Sequence, residues 1–264
     1  MSKYRCIFCQ SAQKLSREHV WADWLRNYLQ RPNKRAFHFV SSSKTGGQIT
    51  RGKLNRPGDL HAQRLQVVCK SCNETWMGKL QEAAKPIIVP LLNDNWDYLG
   101  EREQRILAAW AIMFTMVNEF SHPESVAAPQ RHRDQFRNTS TIPPDWSVWL
   151  GRARFDLGHT GTANHHGAAF VPIEPKGLPK VHYFQSTGFT VGNLFFLTVM
   201  LTPPTACCVL QKEVAEQDGL FSIWPYEADY AGAPGVLNFD DFTRVTNQFI
   251  TVLGGNPFTI VPKR

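Results

Sequence analysis

Cys69-Lys70-Ser71-Cys72-Asn73-Glu74-Thr75-Trp76 repeats a spacing that the chain first shows at Cys6-Ile7-Phe8-Cys9. Two CxxC pairs can hold one zinc ion in a tetrahedral, all-thiolate site, because each tight turn sets two sulfurs on one side, within about 2.3 Å of a shared ion. Fifty-nine residues separate Cys9 from Cys69, where ribbon-like sites show roughly 15–20. The fold must therefore bring distant segments together, as a hairpin with a large inserted loop does. Between the pairs lies Leu15-Ser16-Arg17-Glu18-His19-Val20, with His19 ten residues beyond Cys9. One ion shared by four sulfurs would tie the segment ahead of Glu18-His19 to the segment carrying Asn73. A carboxylate, an imidazole and an amide would then share a small volume, which suits metal-assisted hydrolysis.

The chain has 264 residues, 42% of them hydrophobic, with 17 phenylalanines. That is enough for one large domain or a small domain plus a medium one. No run approaches the ~18 uncharged apolar residues of a membrane span, and Met1-Ser2-Lys3-Tyr4-Arg5 lacks the apolar run of a secretory signal. No membrane partner is expected, and the expected location is cytoplasmic. Four of the six cysteines lie in the CxxC pairs; without an export signal, reduced thiolates on a metal are the better reading than disulfides. Cys207-Cys208 sit in an apolar stretch and read as small core residues.

The net charge of +7 is unevenly placed. Residues 1–95 carry 16 Lys and Arg against 6 Asp and Glu, and residues 96–264 carry 13 against 16. All the surplus positive charge thus lies in the cysteine-bearing third. A basic domain attracts polyphosphates through counterion release; a basic segment alone can equally be a solvated surface.

Taken in order, the spacing predicts a knuckle over residues 1–10 and a short strand over 15–20 that ends at His19. Trp21, Trp24, Leu25, Tyr28 and Leu29 recur at helical intervals until Pro32; such an aromatic stripe is more often core than a base-stacking platform. Residues 31–66 are polar and weakly patterned, with Phe37–Val40 and Leu65–Val68 as strands around an exposed loop, along which Lys44, Arg51, Lys53 and Arg56 can touch phosphates or simply keep it soluble. Trp76, Leu80 and Ala84 lie on one helix face that Pro86 is expected to end, with Asn73 at the helix start. Residues 86–100 read as a junction. A strong helix is predicted over Glu101–Phe120 and a shorter one over 125–138, whose Arg131, His132, Arg133 and Arg137 offer a secondary phosphate contact. Strands follow at Trp146–Phe155, Ala168–Ile173, His182–Gln185, Phe195–Leu201 and Cys207–Gln211, then a closing helix from Phe239 to Leu253. His159, Asn164, His165, His166, Arg152 and Arg154 show no partner spacing and default to the surface. Helices followed by strands give an α+β fold class: a zinc-stapled domain over residues 1–95, then a larger α+β domain over 96–264 with N-terminal helices and an antiparallel sheet, for substrate selection, dimerisation or partner binding.

The order Cys6-x-x-Cys9, Glu18-His19-Val20, Cys69-x-x-Cys72-Asn73 with Trp76-Met77 resembles the zinc-knuckle branch of the HNH endonucleases, over roughly the first third of the chain. The resemblance implies a ββα-metal site between a hairpin and a helix, with Cys6, Cys9, Cys69 and Cys72 on a structural Zn²⁺. It makes His19 the general base that takes a proton from water, a task suited to an imidazole of ordinary pKa about 6.5. Glu18 and Asn73 would be the protein ligands of a catalytic divalent metal, Mg²⁺ by the hardness of their oxygens. The implied activity is phosphodiester hydrolysis on nucleic acid, DNA above all, in a setting such as defence against foreign DNA; a homodimer would suit double-strand cutting. Glu18 stands where family members often carry Asp, and Asn73 where many carry His. The middle position of the motif, commonly Asn, falls on Arg64, with Gln63 and His61 nearby. The other reading of the same residues is a non-catalytic, zinc-stabilised module that binds nucleic acid.

Overall fold

A computed structural model describes residues 5–29, 41–44, 48–51, 64–121, 123–154, 161–171, 182–202, 219–254 and 259–260. The first strand, β1 (Leu15–His19), pairs antiparallel with β4 (Arg64–Cys69), Leu15 facing Cys69 at one end and His19 facing Arg64 at the other. The register slips between Ser16 and Glu18, a bulge that bends the strand just before His19. The expected polar loop between the two holds a small hairpin, β2 (Ser41–Lys44) with β3 (Gln48–Arg51). Phe37–Val40, Lys53, Arg56, His61 and Gln63 lie outside the described residues.

From Cys69 the chain turns directly into helix. The short α1 (Lys70–Cys72) passes through a π turn, Asn73–Met77, into α2 (Gly78–Leu92) without a break. Pro86 does not stop this helix, contrary to the expectation, and the junction expected at 86–100 is helical in its first half. A proline inside a helix forfeits one hydrogen bond and crowds a carbonyl. Here Ala84, Ile88 and Leu91 form a buried stripe, which holds the helix together past both Pro86 and Pro90. It ends where Asp94 takes a left-handed conformation, φ 62°. The helix expected over 21–30 is likewise different: it is a 3₁₀ turn, Asp23–Asn27. Ala22 at its start offers no capping side chain, and so short an uncapped segment closes i→i+3 bonds instead. Trp21, Leu25 and Leu29 are nonetheless buried on one side, as the stripe requires.

The remainder is mixed helix and sheet. β5 (Tyr98–Leu99) precedes α3 (Glu101–Asn118), whose residues from Leu107 to Asn118 are all buried. α4 (Gln130–Thr139) follows. Then come β6 (Trp146–Ala153), β7 (Gly161–Val171), β8 (His182–Val191), β9 (Leu194–Thr202), β10 (Phe221–Trp224), β11 (Tyr230–Ala231), β12 (Val236–Leu237), α5 (Phe239–Gly254) and β13 (Thr259–Ile260). The main sheet runs β10-β6-β9-β8-β7-β13, antiparallel throughout, with β12 joining β6 in parallel; β11 pairs with β5. Cys207–Gln211 and His159 lie outside the described residues.

β9, Leu194-Phe195-Phe196-Leu197-Thr198-Val199-Met200-Leu201, is buried on both faces. Side chains alternate across a strand, so Phe196 and Met200 join a cluster with α3 while Phe195, Leu197 and Val199 join another with Phe242 and Val245 of α5. Gly188 permits that second contact, since a Cβ there would lie 1.8 Å from Thr246 Cγ2. Trp21 meets Phe114 at 4.8 Å between ring centroids, Phe114 meets Phe189 at 4.0 Å, and Phe189 meets Phe196 at 5.1 Å. Residues 1–95 and 96–264 therefore share this first core. No helix among the described residues is long and apolar enough to cross a membrane.

Candidate metal centre and its neighbouring histidine

The Sγ atoms of Cys6, Cys9, Cys69 and Cys72 all lie within 4.8 Å of one another. Tetrahedral ligation at about 2.3 Å puts sulfurs about 3.8 Å apart, and the Cys9–Cys69 separation is 3.6 Å. Each sulfur is delivered by local backbone geometry. Cys6 N–H donates to Ser11 O and Gln10 N–H to Cys6 O, which curls the first knuckle; Ile7 N–H donates to Val67 O and fastens it to β4. Cys69 begins α1 and its sulfur accepts from Cys72 N–H at 3.5 Å.

Cys6, Cys69 and Cys72 are buried. Burial, and then the nearby charge of Cys6, pushes the Cys72 thiol up to about 12. Burial also raises Cys9. Burial opposes ionisation of Cys6 too, but backbone N–H groups of Cys9, Cys69 and Phe8 outweigh it and bring that thiol down. Four sulfurs this close cannot all carry charge without a cation, and a bound metal deprotonates its thiols outright. Trp76 adds a matching feature. Its Nε1–H is buried without a strict hydrogen-bond partner, yet lies near enough to Cys72 to favour the thiolate. The donor set, its spacing and this waiting N–H fit a structural metal such as zinc, held by all four cysteines.

His19 lies at the other end of the β1–β4 ladder, four residues or roughly 13 Å along the strand from Leu15. The helical run doubles back to meet it, because Met77 and Gln81 line the same small pocket as His19 and Val20. Gln81 braces that arrangement: its Oε1 accepts from Trp24 Nε1 at 3.1 Å and from Trp110 Nε1 at 2.9 Å. Asn73 lies one turn ahead of Met77, half-buried, and its carbonyl accepts from Gly78 N–H in the π turn. Glu18 pairs through its backbone with Leu65; its side chain lies outside the described residues.

Three side chains converge on His19 Nε2. Arg64 Nε donates to it at 2.9 Å, a terminal nitrogen of Arg26 stands 3.4 Å away, and Asp23 Oδ1 also stands 3.4 Å away. Arg26 in turn pairs with Asp23. Arginine cannot give up its proton, so Nε2 is the acceptor and the ring proton resides on Nδ1 in this arrangement. Arg64, the residue at the middle position of the motif, is therefore a direct neighbour of His19. Sequence reading missed Asp23 and Arg26. Their only signal was their place in the turn directly after β1, four and seven residues beyond His19.

Several expectations elsewhere change. The basic face of α4 is half spent inside the protein. Arg133 is buried, paired with Glu119 and donating to Ala128 O, and His132 is buried between Trp146 Nε1 and Asp145. His165, His166 and Asn164 are not surface groups left to solvent. His165 meets Thr187 Oγ1 and Ser125 O, His166 Nε2 meets Asn247 Oδ1 at 2.8 Å, and Asn164 donates to Thr246 and Asn247. These groups face each other across β7, β8 and α5, a packing that no local spacing announces. Arg152 is mostly buried and pairs with Asp94.

Comparison with protein-family models, with curated proteins and with solved structures finds no match to this chain.

Proposed function

We propose that the chain is a metal-dependent endonuclease of the HNH kind, hydrolysing phosphodiester bonds in DNA. One observation supports this reading: the four-cysteine cluster closes one end of the β1–β4 ladder, while His19 stands at the end of β1 beside two arginines and Asn73 follows the last cysteine in a helical run that starts from Cys69. His19 takes the proton of a water whose oxygen attacks phosphorus; the P–O3′ bond breaks, and the leaving oxygen gains a proton from solvent. The products are a 5′-phosphate and a 3′-hydroxyl. A divalent ion such as Mg²⁺, held by Glu18 and Asn73, would supply the positive charge that the crowded phosphorus oxygens need. A structural zinc on the four cysteines would tie the segment leading to His19 to the segment carrying Asn73.

A second reading is favoured by the hydrogen bond that already occupies His19 Nε2. In it the same unit binds nucleic acid through its arginines without cutting. Plasmid cleavage in Mg²⁺ decides between them. The nuclease reading expects wild type to nick or cut and His19→Ala to lose at least about a hundredfold in rate. Equal rates in both proteins would remove His19 as the base, and salt-sensitive DNA binding without any cleavage would leave the binding module.

A further inference from the structure

Arg26 and Arg64 both point at His19 Nε2, yet their charges are differently engaged. Arg26 is neutralised by Asp23. Arg64 holds the neutral ring nitrogen, and among the described residues no carboxylate lies within ion-pair distance of it. Arg64 is also exposed, whereas the histidine it touches is partly covered, with 19% of its side chain accessible. A planar guanidinium matches the non-bridging oxygens of a phosphate far better than it matches a single imidazole nitrogen.

We infer that Arg64 is a phosphate-binding arm that caps His19 Nε2 until a phosphodiester draws it away. This rests on the nuclease reading of the same site. The lone pair of Nε2 cannot take a proton from water while it accepts from Arg64. A phosphate oxygen beside His19 offers Arg64 a charged acceptor in place of a neutral one, so the guanidinium turns to the substrate and its hydrogen bond to the ring nitrogen, the shortest of the three contacts there, is released in the same movement. The Asp23–Arg26 pair, with one atom of each residue 3.4 Å from the same nitrogen, stays beside the ring during the exchange. The substrate class is a phosphodiester with its oxygens accessible from the β1–β4 edge. The arm reads the backbone and not the bases.

The test compares wild type, Arg64→Ala and Arg64→Lys. Plasmid cleavage is measured in Mg²⁺, and binding of a fluorescent DNA duplex is measured in Ca²⁺ across a salt series. Zinc content and melting temperature of each variant establish that it is folded. Arg64→Ala should lower the cleavage rate at saturating DNA by about a hundredfold, the scale for losing one transition-state donor. Added guanidinium ion at tens of millimolar should recover part of that rate, and Arg64→Lys should retain more than the alanine variant. In binding, Arg64→Ala should lower the slope of log K against log salt by about one, the value for one phosphate contact. Wild-type cleavage by Arg64→Ala overturns the inference, as does a loss that neither lysine nor guanidinium relieves. If no protein cleaves at all, the nuclease reading falls by itself. The phosphate arm then stands on a lowered salt slope in Arg64→Ala and falls on an unchanged one.

Discussion

The two ends of this molecule are held together by different means. Around the cysteines, β1 and β4 form a two-stranded ladder, an element that is marginal alone in water. Apolar cover there comes from Ile7, Phe8, Val68 and Trp76, which run on into the shared core at Phe136, and four converging sulfurs add a second tie. The sheet around β9 is the opposite case. It is buried on both faces, packed by stacked phenylalanines on one side and by α5 on the other, and contains a network of Thr115, Thr198, Gln185 and Thr187 hydroxyl and amide bonds. The lesson is that stability and chemistry are partitioned: the polar, sparsely packed region keeps charged groups near solvent, and the densely packed region gives it something rigid to lean on. The leaning occurs at Trp21 against Phe114 and at Trp76 against Phe136, with Gln130 donating to Ile7 O beside the first knuckle.

The contrast can be broken most forcefully at the metal. Cys72→Ser should reduce bound zinc from about one ion per chain to near none, measured by atomic absorption. Structural zinc contributes on the order of 10 kcal/mol in small modules. The cysteine-bearing region should therefore lose its protection from proteolysis, while the sheet keeps its far-ultraviolet signature. Retained zinc or unchanged proteolysis would mean that the cluster is not what holds this end.

A smaller effect is expected in the other region. Phe189 is fully buried between Phe114 and Phe196. Phe189→Ala should cost about 3–5 kcal/mol in urea unfolding, the usual range for an emptied aromatic site, with zinc content unchanged. Loss of zinc in this variant would show that the two regions fold as one cooperative unit instead.

Acid sharpens the comparison at a gentler level. Burial pushes His166 down to about 4, against its hydrogen bond to the Asn247 amide oxygen, and burial pushes His132 down to about 4 against the pull of Asp145. Both titrate lower when folded than the ordinary value of about 6.5. Between those values the unfolded chain binds more protons, so their contribution is complete above about pH 6.5 and declines as pH falls toward about 4. Each is worth on the order of 3 kcal/mol. Melting at saturating zinc should fall across that window in wild type, and His166→Gln should flatten the fall by its share. An unchanged pH dependence in His166→Gln would show that this histidine is not buried neutral.

How much of this was readable in advance depends on how local each cause is. β9 was legible because an uninterrupted apolar run has few other uses, whereas β1 has a single apolar residue, Leu15, and no alternation to announce it. The cysteine cluster was legible from spacing alone, despite the distance between its halves. What failed was whatever a distant partner decides. Pro86 looked like a stop because the stripe that carries α2 past it gains its energy only against α3. Arg133 looked like surface charge because its partner Glu119 precedes it by fourteen residues and both are buried together. Arg64 was signalled as a neighbour of His19 only by its place in the motif, since the hydrogen bond itself exists only in the paired register of β1 and β4.

The π turn at Asn73–Met77 has a consequence for how the two ends are aligned. In a regular α-helix, residues five apart such as Cys72 and Met77 stand about 140° apart around the axis. One surplus residue in the turn takes up roughly one 100° step, which rotates the sulfur and the thioether toward a common side, and both are in fact buried. The helix thus works as a vernier between metal and core. Removing a single residue from 74–77 would leave every ligand in the sequence and still point the last cysteine away from the ion.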